Sequence, residues 1–251
     1  ADDPWTPRLI KNATCRLMCY STKSAADLTA EHIALHSDGV EFDAVSGGER
    51  AHVRLGIPGA FTVYNALGVI QAAQALGLPL EKIAAALSTA QGVKGRAEVV
   101  PTPGKDYTVL IDYSHTPDSL ENILKTVRGF CRGHVIAVFG CGGDRDPFKR
   151  PIMGGIAARL ADVAVVTSDN PRTEDPNEII RQIVAGMDGA KTPPTVIENR
   201  PKAIEWAMDH AEPGDVIVLC GKGHETYQEI GHEKRHLDER EVVASYLERT
   251  L

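Results

Sequence analysis

Hydrophobic and polar positions change rhythm once along this chain. Over residues 14–57 apolar and polar side chains alternate in short runs, at 14–20, 32–36, 40–44 and 52–57, the period of strands that bury one face. Ser37-Asp38-Gly39 and Ser46-Gly47-Gly48 separate the runs. Such residues reverse a chain tightly, so antiparallel hairpins are expected. After Leu55-Gly56-Ile57-Pro58-Gly59 the period lengthens. Val63, Leu67, Ile70 and Ala73 recur at helical spacing, and Gly77 with Pro79 stops the helix. A second helix is expected over 80–90. This half reads as strands plus a helical pair without a self-sufficient α/β core.

From about Gly95 onward the pattern is strand, loop, helix, repeated. Apolar runs predict strands at 107–111, 135–139, 163–167, 195–198 and 216–220, with 97–100 as a possible sixth. Amphipathic stretches predict helices at 117–130, 151–160, 176–187, 201–210 and 239–248. Four of these open on proline, whose missing N–H costs nothing in a first helical turn. Apolar strands alternating with helices give an α/β fold with a doubly wound, mostly parallel, Rossmann-like sheet and right-handed crossovers. Two domains are expected, over residues 1–94 and 95–251.

Composition narrows the function. The 251 residues carry 27 basic and 34 acidic side chains, a net charge of −7. That balance disfavours general binding to nucleic acid, which repels a negative surface. No apolar run approaches the roughly 20 residues that span a bilayer, so no membrane insertion is expected. Five cysteines, an odd number without framework spacing, suit a reducing compartment. No secretory signal opens the chain, and a cytoplasmic protein, probing small molecules as a monomer, is expected. The sequence begins Ala1-Asp2-Asp3-Pro4 without an initiator methionine, so it is read as part of a longer protein.

In a doubly wound sheet, ligands bind beyond the carboxyl ends of the strands. Four strand ends here carry chemistry: Asp112-Tyr113-Ser114-His115-Thr116-Pro117; Gly140-Cys141-Gly142-Gly143-Asp144-Arg145-Asp146 with Lys149-Arg150; Asp169-Asn170-Pro171-Arg172; and Gly221-Lys222-Gly223-His224-Glu225. Any one such loop is polar simply because it meets water. Four together, collecting acids, bases and glycines on one edge, point to a site. Arg145 and Arg172 offer planar forks for carboxylate or phosphate, and Asp169 and Glu225 attract ammonium groups. The edge therefore suits a zwitterion such as an amino acid. Asp112 and His115 are placed to handle a proton or to lie near a metal–phosphate group. Surface pairing with Asp144 or Asp146 is the plain alternative for Arg145.

Other motifs carry less. Gly140–Arg145 begins like a dinucleotide fingerprint but ends in arginine, and no Walker loop occurs anywhere. His232-Glu233-Lys234-Arg235-His236 has zincin spacing, yet it is highly charged, follows Gly231 and lacks an apolar helix face. It is expected as an exposed loop. Cys15 and Cys19 are expected to face one side of a strand as small buried hydrophobes.

At the four loops the sequence resembles the Mur ligases of peptidoglycan synthesis. Within that family, the members that extend UDP-N-acetylmuramoyl-L-alanyl-D-glutamate by a third residue are the most similar. The matching stretches are Asp112–Asp118 with its Asp-Tyr-Ser-His-Thr-Pro-Asp run, residues 139–146 with Lys149-Arg150-Pro151, Asp169-Asn170-Pro171-Arg172, and 221–225. Upstream, Gly59-Ala60-Phe61-Thr62-Val63-Tyr64-Asn65-Ala66 and Gly95-Arg96-Ala97-Glu98 also fit. These span nearly the whole chain in order. The resemblance implies that residues 1–94 end a central ATPase domain and that 95–251 form an amino-acid-binding domain. It implies a peptide-bond-forming ligase in which ATP, with Mg2+, phosphorylates the D-glutamate side-chain carboxylate. The amine of the incoming amino acid then attacks the acyl phosphate. Members with Asp-Asn-Pro-Arg at the third loop generally use meso-diaminopimelate. By that resemblance Asp169, Asn170, Pro171 and Arg172 hold the distal amino-acid centre, and Arg145, Gly221 and Glu225 complete it. Asn65, Arg96, Asp112 and Lys149 fall at ATP-side positions, and Asp112, His115 and Arg96 are the catalytic candidates. No metal ligand is assigned. Lysine, lacking the distal carboxylate, would leave an arginine unpaired.

Two departures stand out. Thr62 replaces an asparagine found in many relatives, and Ser114 replaces a commoner alanine. The family's UDP-binding domain, Walker loop and carbamoylated lysine have no counterpart in these 251 residues, so this stretch is expected to be inactive alone. Two further readings stay open: a non-catalytic module that binds an amino acid or peptidoglycan precursor, and a sister ligase that adds lysine or glutamate.

Overall fold

The computed structural model describes residues 1–190 and 192–250. It divides into two compact units, Ala1–Gln91 and Gly92–Leu251.

The first unit is built on a four-stranded sheet, β1 (Tyr20–Ser21), β2 (Leu28–His36), β3 (Gly39–Ser46) and β4 (Glu49–Leu55), in that order, after a short helix α1 (Thr6–Ile10). β2, β3 and β4 form the expected antiparallel hairpins, while β1 pairs in parallel with the start of β2. β2 begins four residues earlier than its alternation suggested. A register shift between Glu31 and Ala34, with His32 at φ 51°, resets the alternation mid-strand and hides the first half. Helices α2 (Ala60–Ala75) and α3 (Leu80–Leu87) follow. Val63, Leu67 and Ile70 of α2 are buried, as their spacing required, beside Phe42, Val53 and Ile83.

Three expectations change. This unit does close a hydrophobic core of its own, from Leu28 to Leu87, because the two helices cover one face of the sheet. Residues 14–19 are not a strand, since no neighbouring strand offers them a ladder of hydrogen bonds. Cys15 is accordingly exposed and Cys19 half-buried, not core hydrophobes.

The second unit holds a six-stranded sheet with the order β5 (Glu98–Val100), β6 (Thr108–Asp112), β10 (Val216–Cys220), β7 (Val135–Phe139), β8 (Val163–Val166), β9 (Thr195–Val196). All neighbours are parallel except the edge strand β5, which runs antiparallel to β6. The chain steps outward from β6 through helices α4 (Pro117–Arg128), α5 (Lys149–Leu160) and α6 (Pro176–Val184). It then returns through α7 (Arg200–Asp209) to insert β10 between β6 and β7. That insertion is the topological switch, where strand ends part and leave a crevice. Alternate strand residues, Val109 and Ile111, Ile136 and Val138, Ile217 and Leu219, join a core with α7 and with α8 (Glu239–Thr250). Their intervening neighbours, such as Leu110, Ala137 and Val218, are equally buried. Both faces are therefore covered, which explains why these strands read as continuous apolar runs.

A hairpin, β11 (Tyr227–Ile230) and β12 (Glu233–His236), precedes α8. It contains the zincin-like spacing. His232–His236 is exposed as expected, but most of it is a strand and not a loop. Among the described residues no helix is long and apolar enough to cross a membrane.

Phe42 is fully buried at the centre of the first unit's core. Phe42→Ala is expected to cost about 3–5 kcal/mol, through lost transfer energy and the residual cavity. Chemical denaturation followed by tryptophan-independent circular dichroism measures it, and a cost below about 1 kcal/mol would contradict this packing.

Candidate functional site

The carboxyl edge of the parallel sheet in the second unit surrounds a cavity of about 520 Å³. Eight of the twelve residues singled out in the sequence line it: His115, Arg145, Lys149, Asp169, Asn170, Arg172, Gly221 and Glu225. They come from the ends of β6, β7, β8 and β10, so the sheet brings together positions more than a hundred residues apart in sequence. Tyr113, Phe148 and Ile152 also line it.

The remaining four are placed differently. Pro171 is buried within its loop. Arg96 is exposed, with its guanidinium 5.2 Å from the centre of the Tyr113 ring. Asp112 ends β6 and is buried. One carboxylate oxygen accepts the Ala97 N–H at 2.8 Å and the other accepts the Ser114 hydroxyl. Each oxygen thus holds one local bond and keeps a further lone pair, and Ser114 is part of that staple. Asn65 belongs to the first unit, exposed on α2. Thr62, one turn earlier, is buried and its hydroxyl donates to Pro58 O at 3.4 Å.

His115 Nδ1 lies 2.8 Å from Tyr113 O. A carbonyl only accepts, so Nδ1 carries a hydrogen, and in the neutral ring Nε2 is then the nitrogen with the lone pair. Lys149 Nζ donates to His115 O at 2.7 Å, tying α5 to the β6 loop. Cys141, in the β7 loop, is no nucleophile: burial pushes its thiol up to about 12. Burial likewise raises Cys220, at the end of β10.

The Asp169–Arg172 loop is held from every side. Asp169 Oδ1 accepts its neighbour's N–H, from Asn170, at 2.7 Å. Lys222 Nζ donates to Asn170 Oδ1 at 2.9 Å and to Glu225 Oε2 at 3.0 Å, and Asn170 Nδ2 donates to the same glutamate oxygen at 3.0 Å. This fixes which way the Asn170 amide points and leaves Glu225 Oε1 to the cavity. Arg172 sits at φ 50°, a strained conformation that its surroundings must enforce. Its Nε donates to Glu229 Oε2 at 2.9 Å and its Nη1 to Gly143 O at 2.8 Å. Three of its five N–H groups remain. Lysine in the site would therefore not leave this arginine wholly unpaired. Arg145 gives only Nη1, to Asp144 O at 2.9 Å, and makes no side-chain ion pair with Asp144 or Asp146.

Comparison with known proteins shows what the chain is similar to. The middle domain of the Mur ligases matches residues 1–73, and the domain described as "Mur ligase, glutamate ligase domain" matches 95–223. A UDP-N-acetylmuramoyl-L-alanyl-D-glutamate–2,6-diaminopimelate ligase of Clostridium acetobutylicum is 48% identical over 247 residues, covering 98% of this chain and 51% of the relative. The enzyme of that name from Synechococcus elongatus is 47% identical over 243 residues, 96% of this chain and 48% of its own. A solved structure of such a ligase superposes with a TM-score of 0.80 at 33% identity, covering 99% of this chain and 52% of that one. This chain belongs to the Mur ligase family. It spans about half the length of the curated relatives it matches. MurF from Acinetobacter baumannii shares the fold, with a TM-score of 0.66 at 19% identity.

In this Mur ligase chain, several supporting residues escaped the sequence pattern. Arg200, at the start of α7, is fully buried: Nε donates to Glu239 Oε1 at 2.8 Å and Nη2 to Cys220 O at 2.8 Å. Its Nη1 stands 3.9 Å from Asp169 Oδ2. Burial opposes the charge, but Glu239 and Asp169 together hold the guanidinium protonated. Arg150, equally buried, clasps Glu174 with two 2.8 Å bonds. Glu174 in turn accepts the Asp144 N–H at 2.6 Å, and Asp144 accepts the Thr173 N–H at 3.2 Å. Arg150 stood in the run after β7 and Arg200 just before an expected helix, and nothing in the sequence told that either would be buried.

Arg150 holds Glu174 below the usual carboxylate range, and the Thr173 hydrogen bonds do the same for Asp144. A lowered folded value means support that is present above about pH 4 and lost as pH falls through the lowered values. Amide hydrogen-exchange protection at Asp144 and Thr173 should fall between about pH 5 and 3, after correction for intrinsic rates. Constant protection across that window would contradict the account.

Proposed function

We propose that the protein is the ATP-dependent ligase that adds meso-diaminopimelate to UDP-N-acetylmuramoyl-L-alanyl-D-glutamate in peptidoglycan synthesis, and that residues 92–251 bind the incoming amino acid. The observation that carries this reading is one cavity lined by two arginines, Arg145 and Arg172, and two acids, Asp169 and Glu225. An amino acid with carboxylates and ammonium groups at both ends matches that alternation of sign, whereas lysine lacks the carboxylate that Arg172 serves. Relatives that bear this activity in their names are 43–48% identical over nearly the whole chain. The reaction is placed in the cytoplasm, on soluble small molecules, with the protein a monomer. It serves cell-wall growth and, through it, cell shape and division.

ATP supplies the activation of the D-glutamate carboxylate. The donors here fit a phosphate: Lys149 keeps two ammonium hydrogens, and Arg96 is exposed and paired only with a ring face. The described residues contain no group of three His, Cys, Asp or Glu side chains able to hold a metal ion. Arg172 and Arg145 orient the amino acid by its distal carboxylate, and Glu225 Oε1 takes its ammonium. Asp169 acts from behind, through its loop. His115 Nε2, with its lone pair free, accepts the proton that the attacking amine must lose. Asp112 positions the His115 loop from the end of β6.

Product analysis by mass spectrometry, with UDP-N-acetylmuramoyl dipeptide, ATP and either amino acid, tests the reading. The whole protein should form the diaminopimelate tripeptide, with lysine at least about tenfold poorer. Arg172→Ala should lower kcat/KM for diaminopimelate by about 100-fold while the fold persists. Equal use of lysine, or normal diaminopimelate kinetics in the variant, would overturn it.

A further inference from the structure

The β11–β12 hairpin contributes nothing to the cavity lining, yet it reaches the two central site residues. Glu229 N donates to Asn170 Oδ1 at 2.9 Å. Glu229 O accepts the Arg172 N–H at 3.0 Å, and Arg172 O accepts the Gly231 N–H at 2.7 Å, closing a parallel bridge between Arg172 and Ile230. These bonds hold Arg172 in its left-handed backbone conformation. The Glu229 side chain then meets the guanidinium edge-on, through Nε alone. Across from it, Gly142 leaves the Nη side open; a Cβ there would stand 2.9 Å from Nη1.

A carboxylate on Nε and a carbonyl on Nη1 together fix the plane of the guanidinium. A planar fork is useful to a second carboxylate only if that plane is fixed and the paired N–H bonds face outward. Glu229 also offsets the arginine's charge, so a ligand gains from Arg172 chiefly by matching its geometry.

We propose that Glu229 is a positioning residue for this site: by holding Arg172 Nε it presents the Nη edge to the distal carboxylate of the amino acid and sets the preference for meso-diaminopimelate over lysine. This rests on the substrate reading above.

Steady-state kinetics of the whole ligase carrying Glu229→Ala, Glu229→Gln or, at the exposed far strand of the same hairpin, Glu233→Ala provide the test. In Glu229→Ala the KM for meso-diaminopimelate should rise about tenfold or more, and the diaminopimelate-to-lysine ratio of kcat/KM should narrow, with KM for ATP unmoved. Glu229→Gln keeps an oxygen for Nε and should restore most of the loss, and Glu233→Ala should match the parent. An unchanged KM for diaminopimelate, an equal rise in KM for ATP, or no rescue by glutamine would each overturn the proposal. If the alanine variant does not fold, Glu229→Met keeps the stem, removes only the acceptor and carries the same expectation. A parent enzyme that rejects meso-diaminopimelate would instead sink the substrate reading. In that case the Arg172 Nε–H resonance still decides the contact: it should shift in the alanine or methionine variant and stay near its place with glutamine, and an unmoved resonance in both acceptor-free variants would overturn it.

Discussion

Two of the buried cations at the carboxyl edge of the parallel sheet stand behind the loops after β8 and β10, and the candidate site depends on how they are satisfied. Arg200 and Lys222 are wholly removed from water. A buried charge is tolerated only with close partners, and leaving one partner out costs several kcal/mol. Arg200 therefore binds Glu239 and the β10 terminal carbonyl, with Asp169 nearby. Lys222 binds Asn170 and Glu225. The residues drafted as partners are the ones that shape the cavity wall. The loops after β8 and β10 cannot shift independently without stranding a charge.

That constraint explains the division of labour at the edge. Asp169, Asn170 and one oxygen of Glu225 are occupied from behind, so they set the geometry of the wall. Arg145, the free N–H groups of Arg172, Glu225 Oε1 and His115 Nε2 remain for a ligand. Asp169 Oδ2 and Glu239 Oε2 lie buried without a hydrogen-bond partner, the first of them 3.9 Å from Arg200 Nη1. Gly221 is required there because a Cβ would stand 2.6 Å from Asp169 Oδ2, and only glycine accepts its φ of 115° without strain.

The parallel sheet was legible because strands covered on both faces are uniformly apolar, and helices such as α4 and α6 announce themselves with proline and a polar cap. Strand ends then named most of the cavity lining without any structural knowledge. What stayed hidden depended on partners distant in sequence. Glu229 looks like a surface residue until β11 folds beside Arg172. Arg200 stands just before an expected helix with no sign of its burial, and Arg150, though named at a strand end, shows its pairing with Glu174 only in the fold. Asp112 stood out because an acid ends a strand, but its bonds to the Ala97 N–H and the Ser114 hydroxyl show only in the fold. In the first unit, the bulge at Glu31–Ala34 broke the alternation that pattern reading relies on, and 14–19 alternated without a partner to pair with.

The most direct measurement is a crystal structure of the protein with meso-diaminopimelate. The account predicts one carboxylate of the ligand on the Nη edge of Arg172, within reach of Arg145, and the adjacent ammonium on Glu225 Oε1, with Lys222 and Asn170 unmoved behind them. A ligand bound elsewhere, or bound here with Arg172 swung away from Glu229 and Gly143, would contradict it.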